Sequence, residues 1–303
     1  MNIIERTRLA VVAVALATAG GAAGQEAGTP AGTQAAGDLA PAAANGWTPL
    51  DEKHFFSELG QAWIPVPNGS GGAPRQGWLA TADGFFTREV HLAYDYVERS
   101  GAPDSYEVLG RFNYPLSRRL WIGTEIPFHR ETGDRGDLGD ITVTPEVMLH
   151  ETRNVSINAG VGLRLPTGSG RLGERQFVPT PEINYFSDLG RGFALRARLG
   201  YSVGDKGNPD NFVLNAAIGQ TFTPHDRAPF GDATWYVSVN YAEPIDARSA
   251  RIGRDARSFV SITPGVRTHL GGNLFLLGGV EFPVVNRGQS FDERYIVQLV
   301  QGF

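Results

Sequence analysis

The side chains with chemistry to offer in this 303-residue chain are charged, and many recur at every second position. Glu89, His91 and Asp95 share one parity, as do Glu107, Arg111 and Asn113, and so do Arg196 and Arg198. Further acids at Glu125, Asp140, Glu146, Glu182 and Glu281, and bases at Arg164, Arg267 and Arg294, fall in similar tracts. Side chains two apart lie on one face of an extended strand. Charges gathered on one enclosed face need water or one another, because an unpaired ion in a confined interior is costly. A ring of one sign would filter ions, whereas mixed signs suit pairing. Two roles follow: a polar constriction that screens solutes, or an internal salt-bridge network that fills a narrow interior. The charged residues expected to line that interior are His91, Glu107, Arg111, Glu125, Glu146, Arg164, Glu182, Arg196, Arg198, Arg267 and Glu281. A hairpin turning at Ser117-Arg118 sets Arg111 near Glu125 and His91 near Arg111.

Other chemistries have less to stand on. The chain has no Cys, which removes disulfides, zinc-thiolate sites and Cys nucleophiles together. His150, Ser156 and Asn158 fall near one hairpin and raise a membrane lipase, which would need a Ser/His pair and an orienting third group. A phospholipase nucleophile must face lipid, however, and the parity of Ser156 and Asn158 is that of the interior. His54, His91, His129, His150, His225 and His269 show no close pair at metal-ligand spacing. His129 with Asp134 to Asp140 could hold calcium, though a solvated Asp/Gly loop is the plainer account. No phosphate loop or nucleotide fingerprint is present. A net charge of −5 gives no reason to expect nucleic acid. The reading is therefore of a protein that is not an enzyme and needs no cofactor or metal.

The elements that must position these charges are strands. From about Arg88 onward, twelve segments of roughly ten residues alternate apolar and polar, as half-buried strands require. The apolar set includes Val90, Leu92 and Tyr94, then Val155, Ile157 and Ala159, then Tyr295, Val297 and Leu299. Connections alternate too. Those after segments two, four, six and ten are short, and those after one, three, five, seven, nine and eleven are longer and rich in Gly, Asp and Arg. The connection after segment eight, Thr223 to Asp232, breaks the rule. About eleven residues at ~3.3 Å each, tilted by ~40°, span the apolar band of an outer membrane. Aromatic residues gather near both segment ends, as interfacial girdles do. In hydrocarbon no water satisfies an edge strand, so such a sheet must close on itself. Pro145 and Pro264 lie inside segments, cannot donate to a ladder, and are expected at bulges.

Ahead of the strands, residues 1–24 read as a signal peptide: Arg6 and Arg8, an apolar stretch, then Ala22-Ala23-Gly24 before Gln25. Residues 25–46, nearly all Ala, Gly, Pro, Thr and Gln, read as a flexible leader. Residues 47–84 read as a short helix and a loop. The helix would start at Thr48-Pro49, carry Phe55, Phe56 and Leu59, and stop near Gly60; it serves as a packing appendage, or as a plug or periplasmic foot. The loop spans the Pro- and Gly-rich residues 65–77. Residues 85–303 read as the barrel.

Several motifs appear in a fixed order: Tyr114-Pro115-Leu116-Ser117-Arg118-Arg119-Leu120, Ile126-Pro127-Phe128, Gly136-Asp137-Leu138-Gly139-Asp140-Ile141, and Leu165-Pro166-Thr167-Gly168. Over roughly residues 85–303 this order resembles the outer-membrane family named after the meta-pathway of phenol degradation. The resemblance implies an outer-membrane transporter. The fold expected is all-β: a transmembrane antiparallel β-barrel of about twelve strands with a short N-terminal helix and a flexible leader. The function expected is a bacterial outer-membrane channel or transporter for small molecules, apolar or aromatic ones included, or alternatively a structural or accessory barrel with a plugged lumen. The partners expected are outer-membrane lipid, a small-molecule solute and the barrel-assembly machinery, for which the closing Phe303 has the usual form of signal.

Overall fold

The computed structural model describes residues 46–132, 136–169, 176–204, 209–245, 258–285 and 291–303. The expected signal peptide, and the leader up to residue 45, lie outside the described residues. Among the described residues one short helix, α1 (Phe55–Glu58), precedes the strands. These are β1 (Glu89–Glu98), β2 (Ser105–Pro115), β3 (Leu120–Glu131), β4 (Asp137–Leu138), β5 (Thr142–Glu151), β6 (Val155–Arg164), β7 (Val178–Gly190), β8 (Phe193–Ser202), β9 (Asn211–Thr221), β10 (Gly231–Pro244), β11 (Phe259–Gly271), β12 (Leu274–Val285) and β13 (Glu293–Gly302).

Each of the twelve alternating segments is a strand, and every neighbour is antiparallel. β1 pairs with β2 on one side and with β13 on the other, and β2 pairs with β3, so the sheet closes. The two-residue β4 is the extra strand; it pairs with the upper part of β3, where Phe128 faces Leu138. Closure leaves no edge amides in lipid.

Period-two alternation decides which face meets what. Along β1, Val90, Leu92 and Tyr94 are exposed while Glu89 and His91 are buried. Ile183, Leu199, Val266, Val297 and Leu299 are likewise exposed, and together they form an apolar outer belt. Aromatic rings mark both of its rims. Tyr96 lies 5.3 Å from Tyr106 and 6.2 Å from Tyr295 at the loop end. Phe112 lies 5.9 Å from Phe303 at the turn end.

Two expectations fail in instructive ways. No bulge marks Pro145 or Pro264. On one side each proline pairs in register, with Ile122 and Val237 respectively. On the other side the β5–β6 ladder resumes unshifted from Val143↔Leu163 to Glu146↔Gly160, and β11–β12 from Ile262↔Phe282 to Gly265↔Gly279. Losing one donor costs a ladder bond, and a slip would turn every flanking side chain inside out. Register shifts occur elsewhere, among them Met148/His150 and Gly231/Thr234. The helix is also shorter than expected. Thr48 does not cap it, Asp51 accepts from His54 N at 2.9 Å instead, and Phe56 is 85% exposed. The strands begin at Glu89, so residues 85–88 go with the preceding segment.

The recurring motifs account for both barrel ends. At the loop end, Asp140 Oδ1 accepts from Gly168 N at 2.8 Å, and Thr167 Oγ1 accepts from Ile141 N at 2.8 Å. Side chains at Gly136 and Gly139 would collide with Phe128 and with Pro127 and His129. At the turn end, Arg119 is fully buried and bonds Glu58 and the carbonyl oxygens of Met148 and Leu149, which fastens α1 to the rim.

Candidate functional site

After α1 the chain follows the turn-end rim and then enters the lumen. Ser70 N donates to Asn154 Oδ1 at 2.7 Å and Gly71 N to Asp188 Oδ2 at 2.7 Å. From Ala73 to Thr87 the segment has no helix or strand, and it runs inside the barrel. Backbone polar groups there must find partners among the wall's side chains. Arg267 Nη1 donates to Gly77 O at 3.0 Å, Ser238 Oγ to Leu79 O at 2.9 Å, and Ser156 Oγ to Gly84 O at 2.5 Å. The wall's Tyr236 hydroxyl accepts from Leu79 N at 3.2 Å.

Apolar packing completes the seal. Ala73, Trp78, Leu79 and Phe85 join Phe186, Ala194, Ala217, Tyr236, Leu277, Ile296 and Val300 in one buried cluster. Trp78 stacks on Tyr236 at 5.2 Å with planes 2° apart. Full burial of such side chains contributes about 1.5–3 kcal/mol each. Gly84 lies against the backbone of Tyr185 and Phe186, closer than any side chain would allow. Ala80 turns with φ +53°, a left-handed conformation that an L residue holds only where its surroundings impose it.

One ion pair sits at the centre. Arg196, fully buried on β8, meets Asp83 at 2.8 Å and also bonds Gln76 O. Its guanidinium lies 4.0 Å from the centroid of Trp78 and 4.9 Å from that of Phe85. Burial pushes the Asp83 carboxyl above its usual range, with the Arg196 charge pulling the other way. Arg75, near the start of the segment, reaches Glu151 at 3.4 Å and Ser156 at 3.1 Å, and burial brings its guanidinium down to about 10.

Above the segment a cavity of about 830 Å³ remains. Trp78 to Asp83 form its floor, and its wall reaches the loop end at Gly204 and Pro209. The wall holds many of the charged residues expected inside. Arg111 meets Glu125 at 2.5 Å, Arg198 meets Glu182 at 2.5 Å, and Arg294 meets Glu281 at 3.4 Å. Glu146 accepts from Asn184 at 3.3 Å, and Arg164 lines this cavity and a second one of about 410 Å³. Glu107 and His129, 3.3 Å apart, line the second. His91 stands across from Arg111 in the β1–β2 register but bonds Glu89 at 3.2 Å and Gln298 at 2.7 Å. Arg196 and Arg267 hold the inserted segment instead of lining open space.

Ser156, Asn158 and His150 form no relay. The two former side chains are fully buried in the lumen, and Ser156 is bonded to Gly84 and Arg75. His150 lies across from outward-facing Ile157. Among the described residues no group of three or more His, Asp or Glu side chains could hold a metal ion. Sequence spacing missed one His pair. His225, in the exceptional connection after β9, stacks on His269 at 4.3 Å and meets Asp232 at 2.6 Å. It also missed Asp83, Gln76 and Trp78. The available signal was Trp78, Leu79, Phe85 and Phe86 in a stretch without period, since four large apolar side chains in a loop need a surface to cover them.

The family model described as "Putative MetA-pathway of phenol degradation" matches residues 65–291. No curated protein matches in sequence. Among solved structures, an outer membrane channel from Pseudomonas putida F1 is similar with a TM-score of 0.56 at 15% identity, over 75% of this chain and 99% of that one. The KdgM porin matches with a TM-score of 0.51 at 11% identity, over 71% and 99%. The NanC porin matches with 0.51 at 10%, over 70% and 99%. These likenesses concern the fold. The family match, with the closed sheet and its apolar belt, places this chain in a bacterial outer membrane.

Proposed function

The chain belongs to the family named for the meta-pathway of phenol degradation, and from that premise we propose that it is an outer-membrane channel. Small solutes enter the cavity from the loop end and pass on when residues 73–87 withdraw towards the turn end. The observation that carries this reading is the roughly 830 Å³ cavity, which ends on a segment held by side chains and packing, with no ladder of its own. Removing a strand would cost a run of backbone bonds, whereas this segment can leave as a unit.

The lining favours solutes that hydrogen-bond. Thr142, Thr144, Thr180, Asn211, Asn215 and Asn240 line the wall between the ion pairs. An apolar or aromatic solute, as the family resemblance implies, meets Trp78 and Trp121 as the ring partners among the described residues there. A second reading is an accessory barrel that conducts nothing, and it is favoured by the same filled lower lumen.

Liposome swelling with folded protein distinguishes them. Slow entry of a pentose-sized solute through the native chain, faster once the segment is displaced, supports the channel. No entry in either state leaves the accessory barrel.

A further inference from the structure

We propose that the cavity above the inserted segment selects small anions, carboxylates foremost; this rests on the uptake reading above and names its substrate class. Five acids line the cavity, Asp83, Glu125, Glu146, Glu182 and Glu281, against four bases, Arg111, Arg164, Arg198 and Arg294, and Arg196, behind the lining, offsets Asp83. Counting therefore decides nothing, and placement does.

Within two of the cross-strand pairs the cation is the partner that water reaches. The Arg198 side chain is 30% exposed and that of Glu182 5%. The Arg294 side chain is 32% exposed and that of Glu281 8%. Neighbours on the wall already occupy these acids: Glu281 accepts from Ser261 at 2.5 Å, and Glu182 from Asn184 at 3.3 Å. Glu146 is buried and accepts from the same Asn184. The Arg111–Glu125 pair exposes both ends about equally and adds neither sign. On the floor, Asp83 is held by Arg196.

Each buried-acid pair is thus a dipole with its positive end towards the solute. Oriented dipoles behind low-dielectric walls raise the local concentration of the opposite charge even where the net charge is zero. A guanidinium also offers a carboxylate two parallel donors, which a halide or a sugar hydroxyl cannot use fully.

Collisional quenching tests this without any flux. Trp121 lines the cavity, so its share of the fluorescence is isolated by comparison with Trp121→Phe. Iodide and caesium are compared in neutral detergent at equal ionic strength, each normalised to its quenching of N-acetyltryptophanamide. Iodide is expected to quench the Trp121 share about threefold more strongly than caesium. In Arg198→Gln/Arg294→Gln the ratio falls towards unity. Equal or weaker quenching by iodide in the native protein overturns the proposal, as does an unchanged ratio in the double variant. A barrel that favours iodide yet passes no solute in liposomes keeps the anion cavity and loses the channel, so the two failures are separable.

Discussion

Arg196→Met is expected to release residues 73–87 from the lumen while leaving the barrel folded. The substitution keeps most of the side-chain volume but removes the partner of Asp83 and a donor to Gln76 O. Stripping one member from a buried pair costs about 3–5 kcal/mol, because the remaining charge stays desolvated. The two guanidinium–ring contacts with Trp78 and Phe85 go as well. That loss falls on docking of the segment, since the β8 ladders to β7 and β9 are made by backbone. Limited proteolysis of detergent-solubilised protein is expected to cut within 73–87 at least tenfold faster than in the native chain, with the barrel intact. Adding Asp83→Asn should slow cleavage again, because the orphaned charge is gone. Equal cleavage in native and Arg196→Met protein would show that the pair does not hold the segment.

Deleting residues 73–83 is expected to have the larger effect on conduction. The segment supplies Trp78 and Leu79 to the buried cluster, and without them Tyr236, Leu277 and Val300 face an empty bore. Twelve strands enclose more than the eight whose interior side chains alone can fill. In planar bilayers the single-channel conductance should rise about tenfold over that of the native protein. Heat-modifiable gel mobility verifies that the deleted variant still folds. A folded variant with native conductance would mean that the segment does not block the path.

The barrel was legible in the sequence because its physics is periodic. Lipid outside and an enclosed interior force alternation at every second residue, and Val90, Leu92 and Tyr94 against Glu89 and His91 display it directly. Cross-strand neighbours followed from turn positions, which set Arg111 beside Glu125. The inserted segment was not legible as such. It has no period, and its partners are far away in sequence: Gly77 meets Arg267 across 190 residues. Arg196 could be assigned to the interior but not to Asp83, which stood in the stretch 47–84 read as a short helix and a loop. The prolines misled for a related reason. Local chemistry gave a missing donor, while the register of Pro145 and Pro264 is held by the whole flanking strand.

Cysteine accessibility along β9 tests the central claim most directly, since the chain has no Cys of its own. Val213 lines the cavity, Ala217 faces the same lumen but packs against the segment, and Ala216 lies between on the outer face. A membrane-impermeant maleimide applied to intact cells should label Val213→Cys and leave Ala217→Cys and Ala216→Cys unlabelled. With Arg196→Met added, Ala217→Cys becomes reactive and Ala216→Cys does not. Labelling of Ala217→Cys at the Val213→Cys rate in the otherwise native chain would contradict a closed lumen, and labelling of Ala216→Cys would contradict the barrel itself.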